Sequence, residues 1–364
     1  MRQYQRVAHG ISFLLAASAC SSSKEPGMSP GDLDNPASIV AGKGGNVGDL
    51  KDLGRCVEGR ANTSRVAPHV VLLLDGSCSM STNYPANGSA SVNECVENPN
   101  GRWSALRAAL VDPQKGVVPK LQDQVLFGVV VFGGRGNSCP IQGETVKPAL
   151  KAAAKIDAAL PKIQPGQYTP TGPALDYVYD NVVEPFKPDA DNAPQIVILA
   201  TDGEPNTCDG KGANSSMPNY QPSIDAVKNG AKKHVTTYVI SLADATGAFH
   251  DHLQELANLG NPAAMGKAKL YEPNSPQQLQ SDLQALVGGA VGCDIALNGK
   301  IPAGSECSGT VTLNGAALGC NKPDGWKLLD ERHIRLQGTA CKTLTDKNGV
   351  VEARFPCESG FSPD

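Results

Sequence analysis

Three oxygen-bearing side chains, Asp75, Ser77 and Ser79, stand at alternate positions directly after an apolar run, Val70 to Leu74. Two more oxygens lie in later segments: the Thr169 hydroxyl, and the Asp202 carboxylate that follows a second apolar run, Gln195 to Thr201. Three hydroxyls and two carboxylates form an all-oxygen donor set. Such a set suits a hard divalent ion, Mg²⁺ or Mn²⁺ first and Ca²⁺ next, and does not suit zinc or copper. Taken alone, the first loop also reads as a helix cap and a hydrogen-bonded turn. Thr169 and Asp202 turn the balance toward a metal.

For the five to meet, the segments carrying them must end on one side of a sheet. Runs that are apolar on both faces suit parallel strands covered by helices, and ligands in such folds bind beyond the carboxyl ends of the strands. Val125 to Phe132 and Val235 to Leu242 read as further strands, with Glu144 to Pro148 and Lys269 to Tyr271 as short ones. Helical spacing of apolar residues marks Arg102–Val111, Lys151–Leu160, Ser223–His234 and His250–Leu259. Two more helices carry start signals: one from Thr171 as N-cap with Pro173 in its first turn, through Val182, and one from Pro276 to Val287 capped by Ser275. Strands alternating with helices imply an α/β fold, a doubly wound and mostly parallel sheet with right-handed crossovers, over about residues 53–291. Residues 292–364 differ in character. They hold five cysteines, alternating stretches at Thr310–Leu313 and His333–Leu336, and turns at Asn298-Gly299 and Asn314-Gly315. A small disulfide-stapled antiparallel β module is expected there.

The segment Asp75-Gly76-Ser77-Cys78-Ser79-Met80, Thr169 within Tyr168-Thr169-Pro170-Thr171-Gly172, and Asp202 within Ala200-Thr201-Asp202-Gly203 together resemble the metal-ion-dependent adhesion site of von Willebrand factor A domains. The three pieces occur in family order. Cys78 departs from the pattern, standing where the family more often has Gly. The resemblance implies a Rossmann-like fold in which Ser77, Ser79 and Thr169 give neutral oxygens directly to the metal. Asp75 and Asp202 would supply charge, at least partly through coordinated waters. It further implies that the metal accepts an Asp or Glu carboxylate from a protein partner, in adhesion or assembly, with no small-molecule substrate. In related domains the final helix, here Pro276–Val287, slides and alters the metal loop's affinity.

The N-terminus points to export. Arg2 and Arg6 precede an apolar stretch at residues 10–17, and Ala17-Ser18-Ala19-Cys20 resembles a bacterial lipoprotein signal. This implies a leader at 1–19 and a lipid anchor on Cys20, at the outer membrane or cell surface. A cleaved secretory signal, giving a periplasmic or secreted protein, is the alternative. Residues 20–52 have tether composition, and the Gly-rich run at 42–48, lacking a strand before it and a helix after it, reads as linker. Of eleven cysteines, setting Cys20 aside leaves an even number, as suits disulfides in an exported protein. No C-x-x-C pair argues for zinc. The expected topology puts Cys56 and Cys293 together opposite the metal face, where a bridge would restrain the final helix. Two bridges are expected among Cys78, Cys95, Cys139 and Cys208 at the metal face. Nearest-neighbour pairing suggests Cys307 with Cys320 and Cys341 with Cys357, with other pairings open.

A formal charge of −4 gives no reason to expect nucleic acid. Beyond the leader, no segment approaches the ~18 apolar residues that span a bilayer. Metal-activated water usually needs a nearby base or second metal, and none of His9, His69, His234, His250, His252 and His333 lies near the metal-bearing motifs. His250 and His252, two apart, face different ways on a helix. No G-x-S-x-G, P-loop or H-E-x-x-H occurs. The expectation is therefore a binding protein and not an enzyme. A structural or sensory envelope component with an architectural metal ranks second, and a secreted metallohydrolase third. Glu204 and Asp209 read as solvated loop acids.

Overall fold

Val70 to Leu74 are all buried, and they form the middle strand of a five-stranded sheet. The computed structural model describes residues 59–61, 63–85, 95–134, 139–163, 166–183, 193–208, 219–347, 349–356 and 359–363. The leader, the tether and Cys20 lie outside the described residues. The first strands in chain order are β1 (Gly59–Ala61), β2 (Thr63–Arg65), β3 (His69–Asp75), β4 (Leu126–Phe132), β5 (Ile141–Ala149), β6 (Gln195–Thr201) and β7 (Val235–Ser241). The sheet runs β5-β4-β3-β6-β7, with β5 antiparallel to β4 and all other neighbours parallel.

The helices are α1 (Arg102–Val111), α2 (Val117–Leu121), α3 (Ala153–Ala159), α4 (Thr171–Asn181), α5 (Gln221–Lys232), α6 (Gly247–Gly260) and α7 (Pro276–Ala290). Alternation along β3 divides the core. Val70, Leu72 and Leu74 pack with Leu106 of α1, Val117 of α2, Ile156 of α3 and Leu283 of α7. Val71 and Leu73 pack with Leu175 of α4, Val227 of α5 and Leu256 of α6. The chain leaves β3 for β4 on one side and later returns to β6 on the other. The strand order therefore reverses between β3 and β6, and the carboxyl ends of these two strands open into the crevice where such folds bind ligands. Asp75 ends β3, and Asp202 directly follows β6.

Several local expectations differ from the structure. Lys269–Tyr271 makes a single parallel bridge, Tyr271 with Ile240, and no strand. Thr171 is the first residue of α4 with Pro170 at its N-cap, because Pro170 already closes the preceding turn. Helix α2 is too short to show a period. Ser275 does cap α7, its side chain accepting from the Gln278 N–H. Among the described residues no helix is long and apolar enough to cross a membrane.

After α7 come β8 (Asp294–Leu297), β9 (Gly299–Lys300), β10 (Thr310–Leu313), β11 (Ala316–Leu318), β12 (Trp326–Asp330), β13 (His333–Leu336), helix α8 (Gly338–Lys347), β14 (Val351–Phe355) and β15 (Ser362–Pro363). Two antiparallel four-stranded sheets, β1-β14-β10-β11 and β12-β13-β8-β2, enclose Ile295, Val311, Trp326, Ile334 and Phe355. Strands β1 and β2 thus come from ahead of the large sheet. Thr63, Ser64 and Arg65 pair with Leu297, Ala296 and Ile295 of β8. Because β2 leads into β3, and α7 leads into β8, this ladder ties the entry of the central strand to the exit of the final helix.

That ladder takes the place of the expected Cys56 bridge to Cys293. Cys293 is instead joined to Cys341, which α8 carries into the same module core. Cys341 is therefore not free for Cys357, and both Cys56 and Cys357 lie outside the described residues. Cys307 is joined to Cys320.

Close packing of α4 on α5 gives a test of the layer geometry. A Cβ placed on Gly230 of α5 would lie 2.5 Å from the Tyr179 ring of α4, and that ring is fixed by a 2.7 Å bond between its hydroxyl and Thr237. Gly to Ala inside a helix ordinarily stabilises by about 1 kcal/mol. Here overpacking outweighs it, and Gly230→Ala is expected to lower unfolding free energy by about 1–2 kcal/mol in urea titrations. A more stable variant would contradict the packing.

Candidate metal centre

Asp75 is completely buried, and both its oxygens are spoken for. Oδ1 accepts the Ser77 N–H at 2.9 Å, and Oδ2 accepts the Thr201 hydroxyl, from the end of β6, at 2.6 Å. The chain turns at Gly76, whose N–H donates to the Phe132 carbonyl of β4 at 2.7 Å. A single 3₁₀ turn, Cys78–Ser81, then sets the Ser77 and Ser79 hydroxyls 2.9 Å apart. Ser79 donates its proton to Asp202 Oδ1 at 2.7 Å, so Ser77 is the donor between the two serines. Asp202 Oδ2 accepts from Arg102 Nη1, on the first residue of α1, at 2.7 Å.

Thr169 reaches the same place from the loop before α4. Its N–H donates to Asn206 Oδ1 at 2.8 Å, and the Asn206 N–H returns a bond to its carbonyl at 3.0 Å. A Cβ on Gly203 would stand 3.0 Å from the Thr169 hydroxyl, so that hydroxyl lies against the turn just after Asp202. The structure thus brings all five residues, Asp75, Ser77, Ser79, Thr169 and Asp202, to one crevice.

Three participants were not singled out in the sequence. Thr201 carries a visible signal, a hydroxyl beside Asp202 at the end of an apolar strand. Arg102 and Asn206 carry none, because only the folded loops bring them to the carboxylates.

The electrostatics of the crevice are unbalanced. Burial, reinforced by the neighbouring Asp202 charge, pushes the Asp75 carboxyl up to about 7. Burial also raises Asp202, against the opposing pull of Arg102 and Ser79. Asp202 is paired with the Arg102 guanidinium while Asp75 has only hydrogen-bond donors, and the charge of the buried Asp75 is costly without a further cation. Neutral hydroxyls beside paired acids are what a divalent ion with oxygen preferences accepts. The residues fit such an ion on their chemistry and their burial.

The loops are held by cross-links. Cys78 is joined to Cys95, and both sulfurs lie against the Gly166 carbonyl, at 2.9 and 3.3 Å. The Gly166 N–H donates to the Gly76 carbonyl at 2.9 Å, so the first loop is fastened to the one that leads to Thr169. Cys139, beyond β4, is joined to Cys208, beyond Asp202. Glu204 accepts from the Tyr220 hydroxyl at 3.2 Å, while Asp209 lies outside the described residues. His250 lies between Asp251 and Glu272, whereas His252 is buried against Ser223, so the two do not form a pair.

The von Willebrand factor type A domain model matches residues 69–285, which contain every one of the five. The chain belongs to the von Willebrand factor type A family. Solved structures of similar fold include the pilus adhesin SpaC from Lactobacillus rhamnosus GG, at 14% identity over 82% of this chain and 40% of that one, TM-score 0.46. The PilB minor pilin from Streptococcus sanguinis matches at 13% identity over 63% of this chain and 62% of that one, TM-score 0.43. Manganese-loaded TRAP from Plasmodium vivax matches at 18% identity over 64% of this chain and 78% of that one, TM-score 0.37. The chain thus spans less than two thirds of the SpaC and PilB chains. At these values the likenesses carry no argument about this chain. No curated protein matches the sequence.

Beside this A-domain crevice, His252 gives a pH-dependent stability term. Its ring stacks on Tyr220 at 4.2 Å, Nε2 lies 3.1 Å from Ser223 Oγ, and Nδ1 is buried without a partner among the described residues. Charging the ring would put an N–H on Nδ1 facing no acceptor, and burial lowers its pKa to about 4. The folded value lies below the unfolded one, so the unfolded chain binds the proton first. The stability from neutral His252 is therefore present above about 6.5 and lost as pH falls through about 4. Urea midpoints of wild type and His252→Gln should converge between pH 7.5 and 4.5. A constant gap would contradict this.

Proposed function

We propose that this protein is an exported, cell-envelope A-domain protein that grips a macromolecular partner through Mg²⁺ or Mn²⁺, in adhesion or assembly. The metal would be held by Ser77, Ser79 and Thr169 as neutral donors, with Asp75 and Asp202 supplying charge. Once bound, it would supply one Lewis-acidic position for an Asp or Glu carboxylate of the partner. The observation that carries the reading is the convergence of five oxygen side chains, from three loops, on a buried crevice at the point where the strand order reverses. Family membership supports it.

The surrounding residues serve placement. Thr201 and the Ser77 N–H fix the orientation of Asp75, and Arg102 and Ser79 fix that of Asp202. Both disulfides at this face restrict the loops that carry the donors. The histidine side chains at 250 and 252 are engaged elsewhere, which favours a grip over hydrolysis. In the same proposal, residues 1–19 are a leader, 20–52 a tether, 53–291 the A domain and 292–364 the β module. Cys20 carries a lipid that holds the chain at the outer membrane or cell surface.

The test is capture of envelope proteins by the chain from Cys20 onward. Wild type is expected to retain partners in millimolar Mg²⁺ and release them in EDTA, while Asp75→Ala, folded by circular dichroism, retains none. Capture indifferent to chelation and to the substitution would defeat the proposal.

A further inference from the structure

Arg102 breaks two local rules. It is the first residue of α1, where the helix dipole disfavours a cation. It is also a charged side chain only 7% exposed, with its Nε buried and without a hydrogen-bond partner among the described residues. An arginine solely capping or packing would not need to be there. Residues that defy local preference and remain poorly satisfied commonly serve a site. Among the described residues Arg102 makes one ion pair, with Asp202, at 2.7 Å, where the Asp202 side chain is fully buried.

The consequence follows from counting charge. Asp75, Asp202 and Arg102 together carry one net negative charge when both acids are ionised. A divalent ion turns that into one net positive charge, and an incoming carboxylate brings the crevice to neutrality. Without Arg102 the empty crevice would carry two negative charges and the loaded one none. The guanidinium therefore weakens attraction for the metal alone, and leaves the loaded site electropositive toward an acidic ligand. In a low-dielectric crevice such a difference is not screened away.

We infer that Arg102 is a specificity-determining residue that divides affinity between metal and partner, loosening the ion and strengthening the carboxylate that lands on it. This rests on the metal reading given above. It makes the two ligands interdependent: the metal is held firmly only when an anion completes the charge balance.

Mn²⁺ binding by electron paramagnetic resonance, and acetate binding to the Mn²⁺-loaded chain by water-proton relaxation, separate the possibilities. Arg102→Gln and Arg102→Met remove the charge, the first keeping a donor for Asp202 and the second keeping unbranched bulk. Both are expected to bind Mn²⁺ about tenfold more tightly and acetate about tenfold more weakly, whereas Arg102→Lys stays within about threefold of wild type on both. Mn²⁺ binding that is unchanged or weaker in the two neutral variants, whichever of them folds, would reduce Arg102 to a positioning residue for Asp202 and overturn the inference. Wild type that binds no Mn²⁺ would overturn the metal reading and this inference with it. A wild type that binds, with neutral variants that do not bind more tightly, overturns the inference alone.

Discussion

Two carboxylates, Asp75 and Asp202, face one buried crevice from the ends of adjacent parallel strands, and the rest of the site is organised around that fact. Like charges so placed, out of water, favour protonation or a counter-cation. Each surrounding group answers to this. Thr201, Ser79 and the Ser77 N–H donate hydrogen bonds to the carboxylates, and Arg102 pairs its guanidinium with Asp202. The hydroxyls can serve as neutral donors to a metal because the acids are already held in place.

The sheet makes the crevice possible. Leu72 to Leu74, apolar on both faces and covered by helices on each, fix β3 so firmly that Asp75 emerges at one defined place. The module adds a second constraint. The β2–β8 ladder joins the start of β3 to the end of α7, so a sliding final helix would have to shear paired strands and work against the Cys293–Cys341 cross-link. The geometry favours a Ser77–Ser79 loop held in one state.

Much of this is legible in the sequence because its signals are local. Apolar runs report burial on both faces, and Asp75, Ser77, Ser79 and Asp202 announce themselves by type and by position after strands, while Thr169 does so by its hydroxyl in the loop that opens α4. What escapes reading depends on distant partners. Residues 59–61 and 63–65 have no marked pattern of their own and become strands only by pairing with β14 and β8, more than two hundred residues later. Helix α8 lies in a segment of weak periodicity and is held by the module core, and it determines that Cys293 meets Cys341 and not Cys56. Arg102 reads as an ordinary helix residue until folding brings it to Asp202, and Asn206 as an ordinary loop residue until it meets Thr169.

The five side chains are proposed to bind a single divalent cation. Anomalous diffraction from crystals grown with Mn²⁺ tests it most directly. One strong peak is expected in the crevice, within coordinating reach of Ser77 and Ser79 and flanked by Thr169, Asp75 and Asp202. A well-ordered crevice with no peak at saturating Mn²⁺, or a peak held by other residues alone, would contradict it.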